Sequence, residues 1–330
     1  MNLTLKEGLD RKKIITALLL SVSISAVLCA FFGELMLPAF AAFYAILILV
    51  DGTRNKLMSI IAGAVSLLIS AASFALELGT LAIPFACVCA WITAYAFSRG
   101  ISKGELSVYL TLVCSLMIAL TAYLIFASAA GTYDFAAVIE YAKEQYVLLR
   151  DVFVEAFMTS AVEQLPELVD AFDENTVAML FDSVCNLCFS AIVIAAFAFS
   201  GFALKIFSGL VYKLMQNGGG IVYWRFATSN LIAYFYCILL VLNFFVGTDG
   251  VVAITVANLF YIFMTVFAYI GYNFALSLLS KRFKFGLSVF IILMGVLLLG
   301  TFALEILSVL GVVFTHTNNR ISPNTNGGNS

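Results

Sequence analysis

Glu305 is a lone carboxylate set among Leu299, Phe302, Ala303, Leu304, Ile306 and Leu307. An unpaired charge in such surroundings costs several kcal/mol unless water, a proton or a counter-charge reaches it. Asp182, Asn186, Asn243 and Asn258 also fall in or at the ends of apolar runs, where their oxygens and amide hydrogens suit the holding of a polar solute. These five residues form the candidate substrate-binding set, with a proton-coupled role open to Glu305. Catalysis has thinner material. His316 is the only histidine, which removes Ser-His-Asp arrangements, His acid–base pairs and His-based zinc motifs. Cys185-Asn-Leu-Cys188 has a redox-like or metal-like spacing, but no second cysteine pair accompanies it, so packing is the favoured reading. No catalytic residue, metal or cofactor is expected, and the chain reads as a non-enzyme.

The elements that must position these groups are membrane helices. The 330 residues are 63% hydrophobic and 11% charged, against roughly 45–50% and 25% in soluble domains, and mean hydropathy is +1.07. Crossing a hydrocarbon core of about 30 Å takes about 20 helical residues. Runs of that kind fall near 14–32, 35–50, 57–77, 79–97, 106–130, 186–208, 229–246, 251–279 and 286–311. The expected fold class is therefore all-α, a polytopic bundle of about nine spans with one external amphipathic helical insert. The run 35–50 is short and carries Pro38, whereas 251–279 is long enough to require tilt or protrusion. Arg11, Lys12 and Lys13 precede the first run, yet Ala26-Val-Leu-Cys29-Ala30 lacks a cleavage pattern, so an uncleaved first span is expected.

Loop charge orients the spans. All 17 Lys and Arg except Lys143, Arg150 and Arg320 fall on one side of this arrangement. The 19 acids gather on the other, apart from Glu7, Asp10, Asp51, Glu105 and Glu305. The positive-inside rule then puts the N-terminus in the cytoplasm and, with an odd span count, the C-terminus outside. In that orientation the candidate polar residues lie toward the outer leaflet. Pro38 and Pro84 are there too, where helix breaking would free carbonyls to line a cavity. The lipid bilayer is the expected environment. Nucleic acid is excluded as a partner, because the net charge is −2 and no basic cluster is present.

Four segments follow: 1–130, an N-terminal five-span bundle; 131–176, an external acidic insert; 177–314, a C-terminal four-span bundle; and 315–330, a disordered tail. Within the insert, Phe153, Phe157, Ala161, Leu165, Leu168 and Phe172 recur near helical period. Glu155, Glu163, Glu167, Asp170 and Glu174 take the opposite face. A kink is expected at Pro166. An acidic polar face does not suit anionic lipid, which leaves a solvated helix on the bundle rim or a lid over an outward cavity. Asn217-Gly-Gly-Gly220 reads as a flexible link. Ala82, Ala86, Ala90 and Ala94 make a ridge of small side chains, Ala62, Ser66 and Ser70 a second, and Ser21 with Ser25 a shorter one. Such ridges allow close helix packing, within the bundle or against a partner membrane protein.

Phe260-Tyr-Ile-Phe, Gly271-Tyr-Asn, Lys281-Arg-Phe-Lys and Leu307-Ser-Val-Leu-Gly-Val-Val-Phe before Arg320 resemble the YybS-like family of uncharacterised bacterial membrane proteins. That family is similar, in its N-terminal helices, to the substrate-binding components of energy-coupling-factor transporters. The resemblance implies a bacterial plasma membrane, capture of a small molecule from outside, and docking to a membrane partner. Such components usually have six spans and an Ala-xxx-Ala motif on an early helix. This chain instead has its clearest Ala ridge on the fourth span, and Ser21 with Ser25 match only in part. The leading expectation is a transporter-like protein that binds a small solute from the external side. The alternative is a scaffold or envelope-biogenesis factor acting through helix contacts. A membrane enzyme acting on lipid-linked substrates ranks third.

Overall fold

A computed structural model describes residues 5–32, 36–51, 57–75, 82–101, 103–164, 173–215, 228–247 and 250–321. Among these the chain is helical, with 12 helices and no strand beyond an isolated Leu5–Met215 bridge. In order they are α1 (Arg11–Phe32), α2 (Leu37–Asp51), α3 (Leu57–Ala75), α4 (Ala82–Arg99), α5 (Lys103–Ala130) and α6 (Phe135–Gln164). Then come α7 (Glu174–Asn186), α8 (Cys188–Leu214), α9 (Asn230–Phe245), α10 (Val251–Leu279), α11 (Phe285–Leu299) and α12 (Thr301–Ile321). Four of them, α1, α5, α8 and α10, are long and apolar enough to cross a membrane. Leu116 is 71% exposed, Leu297 77% and Phe244 84%, a degree of apolar exposure that fits lipid rather than water. The fold suits a multi-pass membrane protein.

The chain forms two compact units, discontinuous in sequence: Met1–Thr121 with Ala195–Phe226, and Ala122–Ile194 with Ala227–Ser330. Contacts thus group part of α8 with the N-terminal helices, where chain order suggested a cut at the insert.

The first unit is built around α2. This helix is apolar on every side, which suits a fully surrounded position. Phe40, Ala45, Ile46 and Leu47 are completely buried, with α1, α3 and α4 packed on it. Its 15 residues extend about 22 Å, less than a hydrocarbon core, but protein rather than lipid covers it. Several of the unit's polar groups find partners. The Arg11 guanidinium donates to Val50 O at 2.9 Å and Asp51 O at 3.4 Å, which satisfies carbonyls at the negative end of the helix. Trp91 Nε1 donates to Tyr44 Oη at 3.3 Å, and Tyr44 lies against Gly63, where a Cβ would sit 2.4 Å from its hydroxyl oxygen. Between α5 and α8, Ser200 Oγ lies 3.2 Å from Thr111 Oγ1 and 3.5 Å from Ser107 Oγ.

The Ala ridge is used inside this unit. Ala86, Ala90 and Ala94 are buried in the α2 core, and Ser25 and Ser66 are buried as well. The side chains of Ala82 and Ser70 lie outside the described residues. Ser21 and Ser25 return their hydroxyls to Ala17 O and Ser21 O one turn back. Pro38 and Pro84 do not break helices, as the sequence suggested. Each lies in the first turn, of α2 and of α4, where an N–H would have no helical acceptor in any case.

The second unit corrects the sequence reading at three places. The helix expected from Phe153 starts at Phe135, and a second helix, α7, runs from Glu174 to Asn186. Asp173, which accepts from Thr176 N at 2.8 Å, is the N-cap that starts α7. Pro166 and its expected kink, with Leu165, Glu167, Leu168, Asp170 and Phe172, lie outside the described residues, as does the Asn217–Gly220 link.

The run 286–311 is two helices, not one. Gly300 adopts φ +55° and its N–H closes α11 on Val296 O, a left-handed turn that favours glycine. Finally, α12 continues to Ile321, so residues 315–321 are helical where a disordered tail was expected.

The turn at Gly300 reverses the chain. Thr228 Oγ1 lies 3.4 Å from Thr315 Oγ1, and Tyr236 Oη lies 2.8 Å from Ser308 Oγ, so α12 runs antiparallel to α9. Gly271 meets Leu307 and Gly311, and Phe274 stacks near Phe314 at 4.9 Å, so α12 runs parallel to α10. At this crossing the two backbones touch. A Cβ on Gly271 would sit 1.8 Å from Leu307 O, and one on Gly311 2.0 Å from Phe267 O. Only hydrogen fits at either position.

Candidate functional site

The five candidate polar residues fall into three separate arrangements, all within the second unit. Asp182, half-exposed on α7, joins that helix to α6: it accepts from Tyr146 Oη at 2.5 Å and lies 3.9 Å from Arg150 Nη1. Desolvation, and then the bond given to the Asp182 carboxylate, pushes the Tyr146 phenol up to about 12. Phe181 packs beside the same clasp, 5.6 Å from Tyr146 and 5.3 Å from Phe153. These contacts make Asp182 a tie between α6 and α7.

Asn186 and Asn258 meet at a joint. α7 ends at Asn186 and α8 begins at Cys188, so carbonyls and N–H groups are left over at the break. The buried Asn258 amide of α10 bridges them. Its Nδ2 donates to Asn186 O at 2.7 Å and to Ile254 O at 2.9 Å, while its Oδ1 accepts from Ser190 N at 2.8 Å. Both ends of the amide are committed to backbone, and only the Asn186 carbonyl enters the contact. Cys185 and Cys188, on either side of the joint, are free thiols.

Asn243 and Glu305 do come together. They line a groove of about 730 Å³ between α9 and α12, within the roughly 300–1,000 Å³ of small-molecule sites. Helix α9 contributes Leu240, Val241, Phe244 and Phe245 beside Asn243, while α12 contributes Phe302, Ile306, Val309 and Leu310 beside Glu305. Phe260 of α10 completes the lining. Comparison with family models, curated proteins and solved structures finds no match. The reading of the site therefore rests on its chemistry.

One wall of the groove is well supported. Tyr236 and Ser308 are buried and bonded, Ser308 Oγ donates to Glu305 O at 2.7 Å, and Tyr236 stacks on Phe260 at 6.0 Å. Glu305 is thereby held on a fixed turn of α12 while its side chain stays exposed. Among the described residues no ion pair involves its carboxylate, and no basic side chain lines the groove. The described residues also hold no cluster of His, Cys, Asp or Glu suited to a metal. The groove offers one carboxylate, one amide and a broad apolar lining, a set suited to recognition.

The sequence reading missed the aromatic wall. Its signal was present: Phe302, Glu305, Ile306 and Val309 share a helix face by their three- and four-residue spacing, as do Leu240, Val241, Phe244 and Phe245. Attention to polar residues alone passed over the surface that frames them.

Proposed function

We propose that this chain is a multi-pass membrane protein of transporter-like character that binds a small solute in the α9–α12 groove. The observation that carries the reading is the meeting of Asn243 and Glu305 on an apolar, aromatic lining. A carboxylate held there with no ion-pair partner among the described residues makes sense where a ligand completes it. The YybS-like resemblance and a bacterial plasma membrane belong to the same proposal.

The reversal at Gly300 changes the expected topology. If α1 to α5 and α8 to α12 all cross, ten helices replace nine, and the chain beyond Thr315 returns to the cytoplasmic side. That arrangement also moves Arg320 to the side of most other Lys and Arg, as the positive-inside rule prefers. Asn243 and Glu305 stay near the outer ends of their helices, so the groove opens toward the outer leaflet, and α6 with part of α7 forms the external segment. The scaffold alternative is weakened, because Ala86, Ala90 and Ala94, its proposed docking ridge, are buried within the first unit.

Thermal unfolding of the purified protein against a panel of vitamins, nucleobases, amino acids and amphipathic amines tests the reading. A ligand at a hundred times its Kd stabilises the folded state by about 2.7 kcal/mol. That gain should fall sharply in Val309→Trp, which projects an indole from the α12 wall into the groove. A ligand that stabilises both proteins equally would rule the groove out as its site.

A further inference from the structure

Resting on the groove reading above, we infer that its ligand is an amphipathic organic monocation, an amine or quaternary ammonium or phosphonium ion carrying ring-bearing apolar bulk. Among the described residues Glu305 is the only ionisable side chain lining the groove, and Asn243 is its neutral polar companion. Around them Phe244, Phe245, Phe260 and Phe302 present aromatic rings, which attract cations electrostatically and gain most when water is excluded.

Other ligand classes fit less well. An anion would lose its hydration against a like charge, with no Lys, Arg or His among the described lining residues to receive it. A small metal cation takes about six or more oxygen ligands, and the lining side chains offer only the Glu305 carboxylate and the Asn243 carbonyl oxygen. A sugar would leave most of its hydroxyls facing hydrocarbon side chains. A cation with delocalised or shielded charge sheds its hydration cheaply, buries its bulk against Phe and Leu, and neutralises Glu305. Such a ligand supplies the counter-charge that the described residues do not.

Three probes of similar aromatic bulk separate charge from shape: tetraphenylphosphonium (cation), tetraphenylborate (anion) and triphenylphosphine oxide (neutral). Equilibrium binding to the full chain in nanodiscs is measured for each, with Val309→Trp as the background for partition into lipid. Tetraphenylphosphonium should bind saturably, weaken about tenfold or more in Glu305→Gln, which is about 1.4 kcal/mol, and weaken by a smaller factor in Phe302→Leu. Tetraphenylborate should show no saturable binding. Variant folding is checked by thermal unfolding, in which Glu305→Gln, an isosteric change at an exposed side chain, should match the wild type. If the anion or the neutral probe binds as tightly as the cation and is lost in Val309→Trp, the groove stands and the cationic class is overturned. Saturable binding of the cation that Glu305→Gln leaves unchanged overturns it too. If no probe binds saturably, or binding ignores Val309→Trp, the groove reading falls and the inference with it.

Discussion

The two units differ in what they do with one polar group. In the first, the interior polar groups seen here are answered from within: Arg11 by the end of α2, Tyr44 by Trp91, Ser200 by Thr111. In the second, Asn258 and Tyr236 are answered in the same manner, but Glu305 is left exposed in a groove with no ion-pair partner among the described residues. The satisfaction is not complete, since Ser115 Oγ and Arg150 Nε are buried without a hydrogen-bond partner, but Glu305 is the charged group that faces the groove. Small residues divide the same way. Alanines in α4 bed that helix into a broad core, whereas Gly271 and Gly311 bring two backbones into direct contact at one crossing.

Substitutions at that crossing should have the largest effect. Gly271→Ala places a methyl group 1.8 Å from Leu307 O, and since rigid backbone must move, a cost of about 3 kcal/mol or more is expected. Gly295→Ala in α11 meets nothing within 4 Å and should be neutral or stabilising by up to about 1 kcal/mol. Thermal unfolding in detergent compares the two, and equal behaviour would remove the glycine crossing from the account. Asn258→Leu comes next. It strands the buried Ser190 N–H and removes the partner of the Asn186 carbonyl, at about 1–3 kcal/mol.

In the first unit, Ala90→Leu overfills a completely buried site and should cost about 1–3 kcal/mol. A fully stable Ala90→Leu protein would mean that the ridge faces outward after all. Tyr146→Phe removes the bond to Asp182 and should cost about 1 kcal/mol, seen as faster amide exchange in α6 and α7.

The smallest effect is a pH dependence at Asp173. Its hydrogen bonds to Thr176 hold the carboxyl below the ordinary 3.8. A lowered folded-state pKa means that the cap contributes fully above 3.8 and fades as pH falls through the lowered value. The exchange difference in α7 between wild type and Asp173→Ala should therefore shrink in strong acid. A difference that grew there would reverse the assigned sign.

Hydropathy made the helical class legible, along with the bounds of α1, α5 and α10 to within a few residues, because transfer into an apolar medium depends on composition along the chain. It could not reveal the reversal at Gly300. A single left-handed residue changes direction without changing hydropathy, and 286–311 is apolar on both sides of it. Asn258 was marked as a substrate-binding amide, but its oxygen and nitrogen are committed to backbone groups about 70 residues away in sequence, beyond any local pattern. Asn243 and Glu305 were singled out because a polar group in an apolar run is rare. Their aromatic surroundings escaped because Phe in such a run is common.

The most direct measurement follows a cysteine placed at Ile306, on the groove wall, in a cysteine-free background reconstituted in vesicles of known orientation. A membrane-impermeant thiol reagent should label it from the outer face, and tetraphenylphosphonium should slow that labelling. Labelling only from the cytoplasmic face, or at a rate indifferent to the cation, would contradict an outward groove that holds a cationic ligand.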